Sequence, residues 1–172
     1  MNHALILACV SLLASAASAT TYYVSPTGND NNAGTAESPV RSISKGVSKA
    51  TVSGDIVSVA DGDYEIGAKI TVSQAITIRG NVADCSKVVV NCKGTQHALY
   101  NDSVDGWSVS GFTFTNIYRV VYSKKAVTVS HCVFRDVKSG STLGGEALCF
   151  PDGTADGLKV VEDCLFDNLY SG

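Results

Sequence analysis

Charge is scarce in this chain. Lys, Arg, Asp and Glu make up 17% of its 172 residues, with 13 basic against 16 acidic side chains and a formal net charge of −3. Nowhere do lysines and arginines gather into the stripe or patch that neutralises phosphates, which argues against a nucleic-acid partner. Beyond residue 19 no apolar run is long enough to cross a bilayer, so no transmembrane segment is predicted. No cysteine pair has the CxxC spacing that zinc sites and dithiol chemistry use. His97 and His131 have no serine or cysteine at a recognisable spacing, so neither is read as half of a nucleophile–base pair. Gly, Ser, Thr, Val and Asn dominate instead, a β-rich and extracellular-looking composition.

The first nineteen residues read differently from the rest. "LILACVSLLASAASA" is a short apolar run ending in Ala17-Ser18-Ala19, a small-residue cleavage pattern ahead of Thr20. Residues 1–19 are therefore expected to be a secretory signal peptide, with a buried N-terminal helix as the alternative. Removing it takes away Cys9 and leaves Cys85, Cys92, Cys132, Cys149 and Cys164. Secretion permits disulfides, but an odd count leaves at least one thiol free or intermolecular.

The strongest signal is repetition. "WSVSGFTFTNI", "VTVSHCVFRDV" and "LKVVEDCLFDNL" align on Phe114, Phe134 and Phe166, separated by 20 and 32 residues. Two positions before each phenylalanine stands Phe112, Cys132 or Cys164, and two after stands Asn116, Asp136 or Asn168. Periods of this length indicate stacked supersecondary units. Within each copy apolar residues alternate, the mark of a strand with one buried face. The alternation breaks once, near Ser130–His131, as it would at a bend. A second series, "HALYN", "RVVYS" and "EALCF", falls between the first, giving about three strands per repeat with no helical pattern. Such strands can run parallel only by winding round a common axis. The three phenylalanines should then stack, and Asn116, Asp136 and Asn168 should form a ladder at a turn.

A stack of strands needs its end covered. "YYVS" reads as a strand, and "SISKGVSKA" places Ile43, Val47 and Ala50 on one stripe of a short helix with Ser42 as N-cap. Gly46 inside that helix costs about 1 kcal/mol relative to Ala, so packing must hold it. "GDIVSVADGDYE" then supplies the first repeat strand, with Ile56, Val57 and Val59, and a turn at Gly62.

The stretch from Tyr22 to about Glu65 resembles the N-terminal cap of secreted right-handed parallel β-helix proteins of the pectin-lyase-like superfamily, which includes polysaccharide lyases. "CVFRDVKSGSTLGGEAL" and "CLFDN" are loosely similar to the repeats of chlamydial polymorphic outer membrane proteins, a family of surface adhesins. There the pattern pairs Phe-x-x-Asn with Gly-Gly-Ala-Ile; here a Glu is inserted at Glu146, and Arg135-Asp136 follow Phe134. The expected architecture is all-β. It comprises a signal peptide at 1–19, a cap at 20–55, and about four to five right-handed β-helix rungs over 56–172. Nothing resembling a cap follows Asn168, which suggests a fragment or an open rung available for self-association.

The resemblance to lyases implies proton abstraction beside a uronate carboxylate, with calcium and a Lys or Arg base. Asp102, Asp105, Asp136, Asp152, Asp156 and Asp163 are scattered among turn residues, and no spacing links them to Arg119, Lys124 or Lys125. "GNDNNAG" is oxygen-rich but lacks the spacing of an EF-hand loop, so its calcium binding stays open. Asn101-Asp102-Ser103 is a glycosylation sequon. Cys132 and Cys164 are either small buried residues on one ladder or an inter-rung disulfide, and Cys85 and Cys92 could staple the loop around one strand. Catalytic and cofactor-binding residues are expected to be none. Two functions remain: a secreted module presenting a repetitive surface for adhesion or binding of polysaccharide or surface glycans, or the N-terminal part of a calcium-dependent polysaccharide lyase or glycoside hydrolase.

Overall fold

The computed structural model describes residues 18–94, 96–137, 145–151 and 157–169. The expected signal peptide, except for residues 18–19, and Gly144, Asp152 and Asp156 lie outside them. Among the described residues no helix is long and apolar enough to cross a membrane.

After a first strand β1 (Thr21–Val24) and helix α1 (Ile43–Lys49), the chain winds in turns of three strands. The first turn is β2 (Ile56–Val59), β3 (Gly62–Glu65) and β4 (Ile70–Thr71). The second is β5 (Thr77–Arg79), β6 (Val88–Asn91) and β7 (Leu99–Asn101). The third is β8 (Trp107–Ser110), β9 (Thr113–Ile117) and β10 (Val121–Ser123). The fourth is β11 (Val127–Ser130), β12 (Val133–Val137) and β13 (Leu148–Cys149). A fifth contributes β14 (Lys159–Glu162) and β15 (Leu165–Leu169).

Successive turns stack strand on strand into three all-parallel sheets. Sheet 1 runs β1-β2-β5-β8-β11-β14, sheet 2 β3-β6-β9-β12-β15, and sheet 3 β4-β7-β10-β13. This is a parallel β-helix.

The interior is filled by columns of equivalent residues. In sheet 1, Val57, Ile78, Val109 and Val129 stand one above another, all buried. In sheet 2 the column is Tyr64, Val90, Phe114, Phe134 and Phe166. The three phenylalanines stack as expected, with ring centroids 5.7 Å and 5.1 Å apart and planes within 17°. The second strand series also falls in register, Leu99 beside Val121 beside Leu148.

The corners explain the break in alternation. Gly111, His131 and Asp163 occupy the same bend with φ of 78°, 52° and 50°. That left-handed conformation turns the chain from sheet 1 into sheet 2, and glycine is its least costly occupant. Asn116, Asp136 and Asn168 adopt φ of 56°, 55° and 52°, and the pairing skips Asn116 and Asp136, as at a bulge. Asn and Asp tolerate this region better than other side chains. The predicted ladder is bonded at one step, where Asn168 Nδ2 donates to Asp136 Oδ1 at 2.6 Å; Asn116 Nδ2 donates instead to Asn91 Oδ1 of the preceding turn at 3.1 Å.

At the N-terminal end, β1 pairs with β2 to extend sheet 1 by one strand. The Ser42 hydroxyl caps α1, accepting from the Lys45 amide at 3.1 Å. Ile43, Val47 and Ala50 are buried, and Gly46 lies against the sheet: a Cβ there would come within 2.6 Å of Val24 Cγ2 and 2.8 Å of Val57 Cγ1. The helix-breaking residue is what lets the helix seat. Two expectations shift. Gly62 opens β3, with φ 144°, and a short 3₁₀ turn at Cys85–Lys87 interrupts the otherwise helix-free repeats.

Candidate functional site

Alternation that sends the aromatic column inward sends its neighbours out. On the solvent face of sheet 2, Glu65, Asn91, Thr115, Arg135 and Asp167 form one row across five turns. Charges on it are paired: Lys93 Nζ lies 2.6 Å from Glu65 Oε1, and Arg135 Nε 3.0 Å from Asp167 Oδ2. Where this row meets the cap, a groove of about 670 Å3 opens between Pro26, Arg41 and Ser42 on one side and Asp63, Glu65 and Asn91 on the other. Beneath it Tyr64 points into the interior, where its hydroxyl donates to the Ala60 carbonyl at 2.8 Å. Burial, with Asp61 nearby, pushes that phenol up to about 12, so it remains a neutral donor. The groove thus offers carboxylates, a guanidinium, an amide and hydroxyls side by side, a surface suited to hydroxyl groups.

The outer face of sheet 3 carries a second polar cluster. Tyr100 and Tyr122 stack at 4.9 Å with planes 7° apart, and His97 meets both edge-on. Lys69 Nζ sits 4.2 Å from the Tyr100 ring centre, on the side away from Tyr122 by turn order. Both faces of Tyr100 are therefore occupied. The arrangement is an aromatic ladder that stabilises the sheet, with neither face of Tyr100 left for a ligand. Beside it Arg119 Nε and Glu146 Oε2 are 2.9 Å apart. Desolvation, helped by Arg119 and Lys69, lowers the His97 pKa, which keeps the ring neutral near pH 7.

The sequence-derived candidates divide accordingly. Asp105 Oδ1 accepts from the Ala126 amide at 2.8 Å, and Asp102 accepts from the Tyr100 hydroxyl at 3.0 Å. Asp102 serves its own turn, Asp105 ties its loop to the next turn, and neither is the partner of Arg119, which pairs with Glu146. In "GNDNNAG", the Asp30 carboxylate accepts from the Arg41 and Ser42 amides and the Ser42 hydroxyl, each at 2.8 Å; it anchors the start of α1. Asn101 is fully buried, its side chain bonded to the Ser103 and Val104 amides and the Val104 carbonyl. A glycan on that sequon would require the turn to open.

Cys85 and Cys92 stand at opposite ends of β6. Four extended residues at about 3.3 Å each hold them beyond bridging distance, so the staple across this loop is not formed. Among the described residues no group of three or more His, Cys, Asp or Glu converges where a cation could be held. The groove residues Arg41, Asp63, Glu65 and Asn91 carried no signal of their own, because the first two turns lack the phenylalanine that marks the later ones.

No curated protein and no solved structure matches the chain. A family model described as "Protein of unknown function (DUF1565)" matches residues 26–106, from the cap to the end of the second turn and just under half of the chain. That family is associated with parallel β-helix proteins, in agreement with the fold.

Proposed function

We propose that this chain is a non-catalytic β-helix module, secreted or displayed at a cell surface, that binds neutral polysaccharide along the outer face of sheet 2. The observation that carries this reading is the row Glu65, Asn91, Thr115, Arg135 and Asp167 leading out of the groove at the cap. Turns recur every ~4.8 Å, close to the length of one sugar residue in an extended polymer, so successive sugars meet successive polar side chains of the row. Two carboxylates, Asp63 and Glu65, against the one guanidinium of Arg41 in the groove favour hydroxyl-bearing over polyanionic chains. Pairing of Glu65 with Lys93 and of Arg135 with Asp167 holds planar acceptors and donors in place for hydroxyl groups.

Affinity electrophoresis of the purified chain through gels containing neutral or uronate polymers tests this. Retardation by a neutral polymer is expected, reduced at least tenfold in apparent affinity by Arg41→Ala combined with Asp63→Ala. Two outcomes would overturn the reading: no retardation by any polymer, or calcium-stimulated cleavage of a uronate polymer to an ultraviolet-absorbing unsaturated product. The latter would establish the lyase alternative.

A further inference from the structure

Cys85, Cys92, Cys132, Cys149 and Cys164 are all free thiols here. Two of them share a column. Cys132 and Cys164 each follow a left-handed corner residue, His131 or Asp163, and each precedes a paired residue, Val133 opposite Leu165. The Leu165 amide donates to the Cys132 carbonyl at 2.9 Å, tying the two backbones at that point. Equivalent residues on stacked strands lie about 4.8 Å apart, inside the range of about 4.4–6.8 Å between Cα atoms that a disulfide spans. Both sulfurs lie over one strip of β11: Cys132 Sγ is 3.2 Å from the Ser130 carbonyl oxygen and Cys164 Sγ 3.7 Å from that of Val129. Cys149, in contrast, sits on sheet 3 opposite Tyr122.

We propose that Cys132 and Cys164 are a redox-active pair whose oxidation forms a disulfide joining the fifth turn to the fourth. The two thiols are unequal. Cys132 is buried, and its interaction with Cys164, together with burial, raises its pKa. The interaction with Cys132, aided by the Cys132 backbone and the His131 side chain, lowers the pKa of the half-buried Cys164 against its own desolvation. Cys164 is also the more exposed of the two, since Cys132 is only 1% exposed, and is therefore the attacking group. Its thiolate attacks one sulfur of a small-molecule disulfide such as oxidised glutathione, the S–S bond breaks, and one glutathione leaves as thiolate and is protonated. Cys132 then releases its proton, attacks the Cys164 sulfur of the mixed disulfide and expels the second glutathione. The protein dithiol loses two electrons, and glutathione disulfide becomes two thiols.

In the chain from Thr20 onward, trypsin places the five cysteines on five separate peptides, because Lys or Arg intervenes between every neighbouring pair. The fully reduced chain, incubated with oxidised glutathione, alkylated and digested, should yield one bridge, between the Cys132 and Cys164 peptides, with the other three cysteines alkylated. Cys132→Ser should stop the reaction at a glutathione adduct on Cys164, and Cys164→Ser should abolish the adduct. In the reduced wild-type chain Cys164 should alkylate at least tenfold faster than Cys132 at neutral pH, which reads the asymmetry without any substitution. A bridge to another cysteine, a disulfide-linked dimer, or retention of all five thiols would overturn the proposal.

Discussion

Single residues decide where this fold bends and how closely its parts approach. Gly46 illustrates how two effects of opposite sign are weighed. Replacing it with alanine gains about 1 kcal/mol of helix propensity. The new Cβ, however, would meet Val24 Cγ2 at 2.6 Å and Val57 Cγ1 at 2.8 Å, and overpacking of a tight core costs about 1–3 kcal/mol. Both neighbours are branched side chains fixed in the core, so the clash wins. Gly46→Ala is expected to lower the unfolding free energy by roughly 1 kcal/mol in a urea titration; a gain would mean that α1 can slide on β1 and β2. Asn101 makes the same point with polarity. A sequon reads as a surface feature, yet this asparagine is 0% exposed and spends its amide on the turn that leads into Trp107.

Among the elements, the five strands of sheet 2 show how unevenly one column can be supported. Phe134 is 0% exposed between Phe114 and Phe166, whereas Phe166 is 41% exposed. Phe134→Ala should cost about 3–5 kcal/mol, the usual price of removing a buried aromatic. Phe166→Ala should cost less than half as much, and equal losses would show that the fifth turn is packed as tightly as the fourth. This column was legible in the sequence because the aromatic residue recurs with Asn or Asp two positions later. The same logic gave the strands around Tyr100, Tyr122 and Cys149, and the helix stripe of Ile43, Val47 and Ala50. What was not legible lies where the column changes residue type. Tyr64 and Val90 occupy the phenylalanine position in the first two turns, so nothing in the text aligns Glu65 and Asn91 with Thr115. The groove leaves no pattern in the sequence for the same reason, since Arg41 and Asp63 come together only when the cap folds back over β3. The cysteines were partly legible: the shared column of Cys132 and Cys164 followed from the repeat, but which pair could meet depended on the length of β6.

Taken as a whole, the described residues form a row of turns whose strands pair with those of neighbouring turns, so stability need not be lost everywhere at once. Acid provides a test of where it fails. The Asp30 carboxyl, although burial raises its pKa, is held below 3.8 by the Ser42 amide and hydroxyl, the Arg41 amide and Lys45. Its contribution is complete above the unfolded value and disappears as pH falls through the lower folded one. Protonation there loosens the attachment of α1 before it reaches the middle turns. Hydrogen exchange at stepwise lower pH should show amides in residues 21–49 losing protection before those in 107–137; simultaneous loss would mean that the cap and the turns unfold together.

The spacing of the phenylalanines has one more implication. Phe114 to Phe134 takes 20 residues and Phe134 to Phe166 takes 32, yet the pairing on either side of Phe134 is identical, residue for residue. The corners at His131 and Asp163 reset the path each time, so extra length is shed outside the column and leaves no trace within it. Surface novelty and structural inheritance are thereby uncoupled: lineages can lengthen or rewrite what hangs from the margins of this molecule while the grammar of its axis goes unedited.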